Sequence, residues 1–62
     1  MKELDCVRLL EDFENIPKGT EGAIVIDYRG PDVEVEFFDK EGDTIDILTV
    51  PRVILEVTHS YN

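Results

Sequence analysis

The chain is short and strongly acidic: it has 62 residues, with 15 Asp and Glu against 6 Lys and Arg, which gives a net charge of -9. A chain of this length has room for one domain with a small core, and none for a deep active-site cavity. Nucleic-acid binding requires clustered Lys and Arg to neutralise phosphates, whereas the six basic residues here are spread singly along the sequence. The composition therefore disfavours nucleic acid as a partner.

The compartment follows from the cysteine count and from the first residues. The single Cys6 cannot form an internal disulfide, unlike the disulfide-dense small secreted domains. Residues 1–5 carry charges where a signal peptide needs an apolar run, and no window approaches the roughly 20 apolar residues of a membrane span. We therefore expect a cytoplasmic protein with no membrane segment.

Alternating apolar residues in the first half of the chain predict two strands and no helix. The first strand is predicted over Leu4–Leu10, and the second, over Gly22–Tyr28, is rich in β-branched residues and should be central. Residues 11–20 form the one long connection. Its apolar residues are expected to cover an open end of the fold, and they are Phe13, Ile16 and Pro17.

Three further strands are predicted in the second half, with short, turn-rich joins typical of antiparallel hairpins. In the third, over residues 33–38, Val33, Val35 and Phe37 alternate with glutamates, which places the apolar side chains inward. The fourth covers residues 44–50 and the fifth residues 53–57. Pro51 lacks the N–H that a ladder needs, so a short 3₁₀-like turn is expected between them.

These elements predict an all-β fold, a small five-stranded antiparallel SH3-like barrel. Residues 1–62 are interpreted as a single domain, with its framework over about residues 3–57 and a polar, fraying tail over residues 58–62. The predicted core consists of Val7, Leu9, Ile24, Ile26, Val35, Phe37, Ile47, Leu55 and Val57.

Two sets of motifs resemble known families. The runs Lys18–Val25 and Val33–Phe37 resemble the turn and strand pattern of KOW-type and other SH3-like barrels. Across residues 3–57 the chain also resembles a family of small bacterial proteins known as a domain of unknown function. That likeness rests on the runs Glu3–Val7, Gly19–Gly22, Val35–Phe37, Gly42–Thr44 and Leu48–Pro51. The resemblance implies the fold and supplies no catalytic residues, and KOW modules that bind RNA are usually basic, unlike this chain.

No set of residues in the sequence predicts catalysis or metal binding. Cys6 and His59 stand at opposite ends of the chain, and His59 next to Ser60 in a polar tail has no third group to orient it. The alternating carboxylates of residues 39, 41 and 43 are similar to a calcium loop, but the glycine falls at the fourth position of the loop and Val50 at the twelfth. We therefore expect no enzyme, no cofactor and no metal site.

The acidic residues concentrate in the second half: residues 32–62 hold eight acids and two bases, hence -6 of the -9 charges. A recognition face is predicted there, with Phe38 as its aromatic anchor, and the same acids alternatively only solvate the sheet while Phe38 covers a barrel end. The predicted protein-binding residues are Glu34, Glu36, Phe38, Asp39, Glu41, Asp43 and Asp46.

The expected function is non-enzymatic binding to a partner protein with a basic surface, for example as an antitoxin-like or immunity-like inhibitor. Two alternatives remain open at this point. One is an accessory or regulatory subunit that docks through exposed apolar residues such as Phe13, Tyr28 and Phe38. The other is a KOW-like module that binds RNA or the ribosome.

Overall fold

A computed structural model describes residues 1–60 as one five-stranded sheet with a short 3₁₀ helix. The strands lie in the order β4-β3-β2-β1-β5, and every neighbouring pair is antiparallel. Their bounds are β1 Cys6–Leu9, β2 Glu21–Asp27, β3 Asp32–Phe38, β4 Thr44–Pro51 and β5 Leu55–His59, with the 3₁₀ helix at Arg52–Ile54. The predicted five-stranded, antiparallel all-β fold is confirmed.

The sheet is open, and it does not close into the small SH3-like barrel that the sequence predicted. The strands β4 and β5 are its two edges, and they do not pair with each other in the described part of the chain. Because the core lies on one side of a single layer, the sheet must curve until the two halves of that side face each other. No helix among residues 1–60 is long and apolar enough to cross a membrane.

Two strand ends differ from the prediction for local reasons. The first strand begins only at Cys6, because Leu4 has a φ of 73° and leaves the extended conformation. The expected 3₁₀ turn after Pro51 is present, and it takes up Val53 and Ile54, so the last strand begins two residues later. That strand continues through His59, which corrects the prediction of a fraying tail from residue 58, while residues 61–62 of that tail lie outside the described residues.

The core collects apolar side chains from all five strands and from the long connection. It consists of Val7, Leu9, Ile16, Ile24, Val33, Val35, Phe37, Val50 and Leu55. The connection covers this core as predicted, because Ile16 is buried and Phe13 packs against the cluster. Phe13 and Ile16 also bond to each other through both backbone N–H groups, at 2.9 and 2.8 Å, which closes a tight turn.

Ile26 was predicted to lie in the core and instead is 40% exposed. The register of β2 against β3 shifts between Ile24 and Ile26, so that Ile24 pairs with Val35 and Ile26 pairs with Glu34. A β-bulge of this kind inserts one extra residue, here Val25, and turns the next side chain to the opposite side of the sheet. The bulge therefore moves Ile26 from the core to the glutamate side.

Ile47 and Val57 were also predicted to lie in the core and are both exposed. The fourth strand has apolar residues on both faces, and its register pairs Leu48 with Val35 but Ile47 with Glu36. Its core-facing positions are therefore Leu48 and Val50, which the prediction omitted. Val57 does pair with core residue Val7, but it lies on an edge strand that no further strand covers.

Candidate functional site

The side of the sheet opposite the core, called here the outer face, is built from alternate residues of the central strands. Cross-strand partners in an antiparallel sheet share a face, so the register identifies its members. Ile47 pairs with Glu36, and Glu36 with Ala23, while Thr49 pairs with Glu34, and Glu34 with Ile26. The complete outer face of the four strands β1 to β4 includes Cys6, Arg8, Glu21, Ala23, Ile26, Asp32, Glu34, Glu36, Phe38, Thr44, Ile47, Thr49 and Pro51.

The two glutamates at its centre accept hydrogen bonds from hydroxyl groups. Glu34 Oε1 accepts from Thr49 Oγ1 at 2.7 Å and, more weakly, from the Tyr28 hydroxyl at 3.4 Å. Glu36 Oε2 accepts from Thr44 Oγ1. Partial burial, followed by the charge of Glu34, raises the pKa of Tyr28, so the phenol that donates to Glu34 is harder to ionise than usual. The hydroxyls orient the two carboxylates without neutralising them.

The hairpin between β3 and β4 holds the other predicted acids. Asp39 Oδ1 accepts the backbone N–H groups of Glu41 at 3.0 Å and Asp43 at 2.9 Å, so its carboxylate organises the turn. The side chains of Glu41 and Asp43 are exposed at its tip. Asp46 is separated from the two glutamates, because it pairs with Phe37 and so lies on the core side, at its exposed end. Its Oδ1 accepts the N–H of Ile47 at 2.8 Å.

Phe38 lies on the outer face as its position in the strand predicts, in register with Glu21 and Thr44. It is half-buried and lines an open groove of about 990 Å³ at the end of the sheet where β2 begins. The other lining residues include Cys6, Ile45 and His59. The anchoring role of Phe38 stays a prediction.

Cys6 and His59 lie side by side, although they are far apart in the sequence. They are cross-strand partners between β1 and β5, and both line the groove beside Phe38. Ser60, the nearby hydroxyl, donates to Asp5 Oδ1 at 2.9 Å. The position of His59 in a strand corrects the expectation that it belongs to a loose tail.

Two buried or half-buried aspartates were missed by the sequence reading. Burial raises the pKa of Asp5, but hydrogen bonds from the Lys2 N–H and the Ser60 hydroxyl, together with the N-terminal charge, lower it by more than burial raises it. The pKa of Asp5 therefore lies below its usual range. The pKa of Asp27 is lowered by a hydrogen bond from Arg52 at 2.7 Å and by the N–H of Arg29. No sequence signal identified them, because their partners are remote in the chain or are backbone groups.

The cations of the described residues do not neutralise the central glutamates. The two ion pairs found in residues 1–60 are Arg8 with Glu56, at the β5 side of the sheet, and Arg52 with Asp27. Glu34 and Glu36 therefore lie unneutralised on the outer face, flanked by exposed Ile26 and Ile47. The outer face thus combines two carboxylates with exposed aliphatic side chains.

The comparison with known families identifies the chain. A family model described as a domain of unknown function (DUF4926) matches residues 3–57. No curated protein and no solved structure matches the chain. The match covers all five strands apart from the last two residues of β5. The chain therefore belongs to DUF4926, a family of domains of unknown function.

Proposed function

We propose that this protein acts by stoichiometric binding to a partner protein with a basic surface, as an inhibitor of the antitoxin or immunity type, without turnover or cofactor. The observation that carries the proposal is the pair of unneutralised carboxylates, Glu34 and Glu36, beside exposed Ile26 and Ile47. Interfaces concentrate their binding energy in apolar contacts, while charges steer the encounter and select the partner. The net charge of -9 adds a long-range field of the same sign.

Two finer assignments of fold and location accompany this proposal. The strand order and the 3₁₀ helix before the last strand support an SH3-like arrangement. The single cysteine supports a cytoplasmic location. With these two assignments, the proposed protein is a bacterial, cytoplasmic binding module with an SH3-like arrangement of strands.

The test captures proteins from a lysate of the source organism on three immobilised baits and quantifies them by mass spectrometry. The baits are the wild type, Glu34→Gln/Glu36→Gln, and Glu11→Gln/Glu14→Gln, which removes the same two charges from the exposed long connection. We expect the wild type and the loop variant to retain a set of basic proteins, and we expect Glu34→Gln/Glu36→Gln to lose that set. Their release should begin as salt rises toward about 1 M, where the screening length falls to about 3 Å.

Two outcomes contradict the proposal. Equal retention of basic proteins by all three baits would remove the role of Glu34 and Glu36. RNA held tightly at physiological salt would favour the KOW-like alternative, because an acidic surface cannot gain from counterion release.

A second candidate, an accessory subunit, is favoured by the exposed aliphatic residues. Ile26 and Ile47 are 40% and 48% exposed, and Tyr28 lies near them through its contact with Glu34. Such a contact would be mainly apolar, so the complex would persist at high salt. Salt-insensitive capture that Ile47→Ser abolishes and Glu34→Gln/Glu36→Gln preserves would identify this role.

A further inference from the structure

The β4 edge, defined by Thr44–Pro51, is a long strand with only one neighbour. It has eight residues, the greatest length among the described strands, and pairs with β3 alone. An edge strand presents a row of backbone N–H and C=O groups that can pair with another chain. Proteins protect such edges with Lys, Pro or bulges. In β4 the register shift falls at Ile45 and the proline is Pro51, so both devices lie at the ends of the strand and the stretch between them, residues 46–50, contains neither.

The hydrogen bonds of the sheet identify which backbone groups are open. The N–H of Ile24 donates to Asp5 O at 2.9 Å, so the backbone N–H and C=O groups of Ile24 point toward the β1 side of the strand. Backbone groups alternate in direction along a strand, so those of Ala23 point toward β3. Ala23 pairs with Glu36, so the backbone groups of Glu36 point back toward β2. Those of its neighbour Val35 then point toward β4, where Val35 and Leu48 exchange backbone hydrogen bonds. By the same alternation, Ile47 and Thr49 direct their N–H and C=O groups away from the sheet.

One of these open groups has a side-chain cover. The N–H of Ile47 donates to Asp46 Oδ1, so the Asp46 carboxylate lies at the edge and occupies a donor that a strand would use. This side chain must turn away before an incoming strand can accept the Ile47 N–H, and its negative charge disfavours an acidic strand. The cover thus admits a basic strand more readily than an acidic one.

Charge and spacing identify the side chains that the edge would accept. A new strand would lie about 4.8 Å beyond β4, hence roughly 10 Å from β3. A Lys or Arg placed beside Ile47 can lay its aliphatic stem over that side chain and bring its charge to Glu36. The position two residues along, beside Thr49, reaches Glu34 in the same way.

The other edge lacks this combination. The β5 strand has five residues, and its outer-face Glu56 is already paired with Arg8. A second copy of this chain would present the same unneutralised glutamates and another net charge of -9. The geometry thus favours the β4 edge, and the charge favours a basic occupant.

We propose that the β4 edge binds an extended segment of a basic partner protein as a sixth, antiparallel strand. That segment carries Lys or Arg on the outer face, beside Ile47 and Thr49, and apolar residues at the alternate positions beside Leu48 and Val50. This inference rests on the proposed function and specifies how its partner is held.

The test uses an acetylated and amidated peptide in which lysine and valine alternate, with two N-methylated versions. In an antiparallel pair, residues opposite each other direct their backbone groups toward one another, so the lysines opposite Ile47 and Thr49 place their N–H groups on β4. Methylation of the lysine N–H groups should weaken binding about tenfold or more, and methylation of the valine N–H groups should leave it nearly unchanged. Backbone shifts by nuclear magnetic resonance should centre on Ile47 and Thr49.

The charge component is measured with the same peptide and matched variants. Glu34→Gln/Glu36→Gln should weaken binding about three- to tenfold at low salt, and Glu11→Gln/Glu14→Gln should change it little. A peptide of alternating glutamate and valine should not bind. Because the peptide series leaves the protein unaltered, a variant that fails to fold does not affect its outcome.

Several outcomes would overturn this inference. Equal loss from the two methylation patterns, or none, would exclude strand addition. Loss confined to the valine set would exclude the proposed antiparallel register, in which the lysines lie opposite Ile47 and Thr49. A dimer in sedimentation that blocks the peptide would show that the edge binds a second copy. If basic proteins are captured through Glu34 and Glu36 while both methylated peptides bind alike, the proposed function stands and this docking mode fails.

Discussion

Gly22 lies where the neighbouring strand β3 leaves no room for a side chain. A Cβ atom at this position would be 2.6 Å from the Glu36 carbonyl oxygen and 2.9 Å from Val35 Cγ1. Gly22 is not among the glycines with positive φ, so the requirement is steric and not conformational. The position is in register with both Val7 and Phe37, on the core side of the sheet.

We predict that Gly22→Ala lowers the free energy of unfolding by about 1–3 kcal/mol, because the added methyl group must displace a backbone carbonyl. Gly30→Ala is the matched control, since a Cβ there meets nothing within 4 Å. That control should change stability by less than about 0.5 kcal/mol. Urea denaturation of the two variants measures the difference, and equal effects would contradict the steric explanation.

At the scale of the element, β3 determines both sides of the sheet. Its burial alternates through the strand, with Val33, Val35 and Phe37 fully buried and Glu34 and Glu36 half-buried. Because a strand has a period of two, one sequence places the core on one side and the proposed binding carboxylates on the other. Changes on the buried side should therefore alter stability, while changes to the glutamates should alter binding.

We predict that Val35→Ala costs about 2–4 kcal/mol through lost burial and the cavity that it leaves. The total stability expected for a domain of this size is roughly 3–9 kcal/mol, so this variant loses a large fraction of it and should melt at a clearly lower temperature. The control is Val53→Ala, since Val53 is 84% exposed and the change should cost less than about 0.5 kcal/mol. Thermal melts followed by circular dichroism compare the two, and a matching loss in both would contradict the assigned core.

At the scale of the whole molecule, Asp5 connects the two ends of the chain. Asp5 is 2% exposed, and its carboxylate accepts the Lys2 N–H through Oδ2 and the Ser60 hydroxyl through Oδ1, both at 2.9 Å. Its backbone carbonyl also accepts the N–H of Ile24. A single residue therefore holds both ends of the chain against the central strand.

The lowered pKa of Asp5 predicts a pH-dependent contribution to stability. A carboxyl whose pKa is lower in the folded state stabilises the fold above its ordinary pKa of about 3.9, and this contribution is lost as pH falls through the folded value. We predict that Asp5→Asn is less stable than the wild type at neutral pH and that the difference shrinks below about pH 4. Comparing the two proteins by denaturation across pH separates this effect from the general relief of acidic repulsion, and a difference independent of pH would contradict it.

Local patterns in the chain were enough to establish much of this fold. The alternation through Val33–Phe37, the short joins and the break at Pro51 predicted five antiparallel strands, and the long connection was correctly expected to cover the core with Ile16. Glu34, Glu36 and Phe38 were placed on one face for the same reason. A period of two and the chemistry of turns are local properties, so they can be read without knowing which strands meet.

Tertiary structure decided what depends on register between strands. Nothing in the run from Gly22 to Tyr28 indicates the bulge that turns Ile26 outward, and residues 45–50 are apolar on both faces, so only pairing with β3 selects Leu48 over Ile47. The partnership of Asp5 with Ser60, the pairing of Cys6 with His59 and the open β4 edge have the same origin. The contacts join residues that are remote in the chain, and the registers are choices between alternatives of similar local energy. Only the packing of the complete sheet selects among these possibilities.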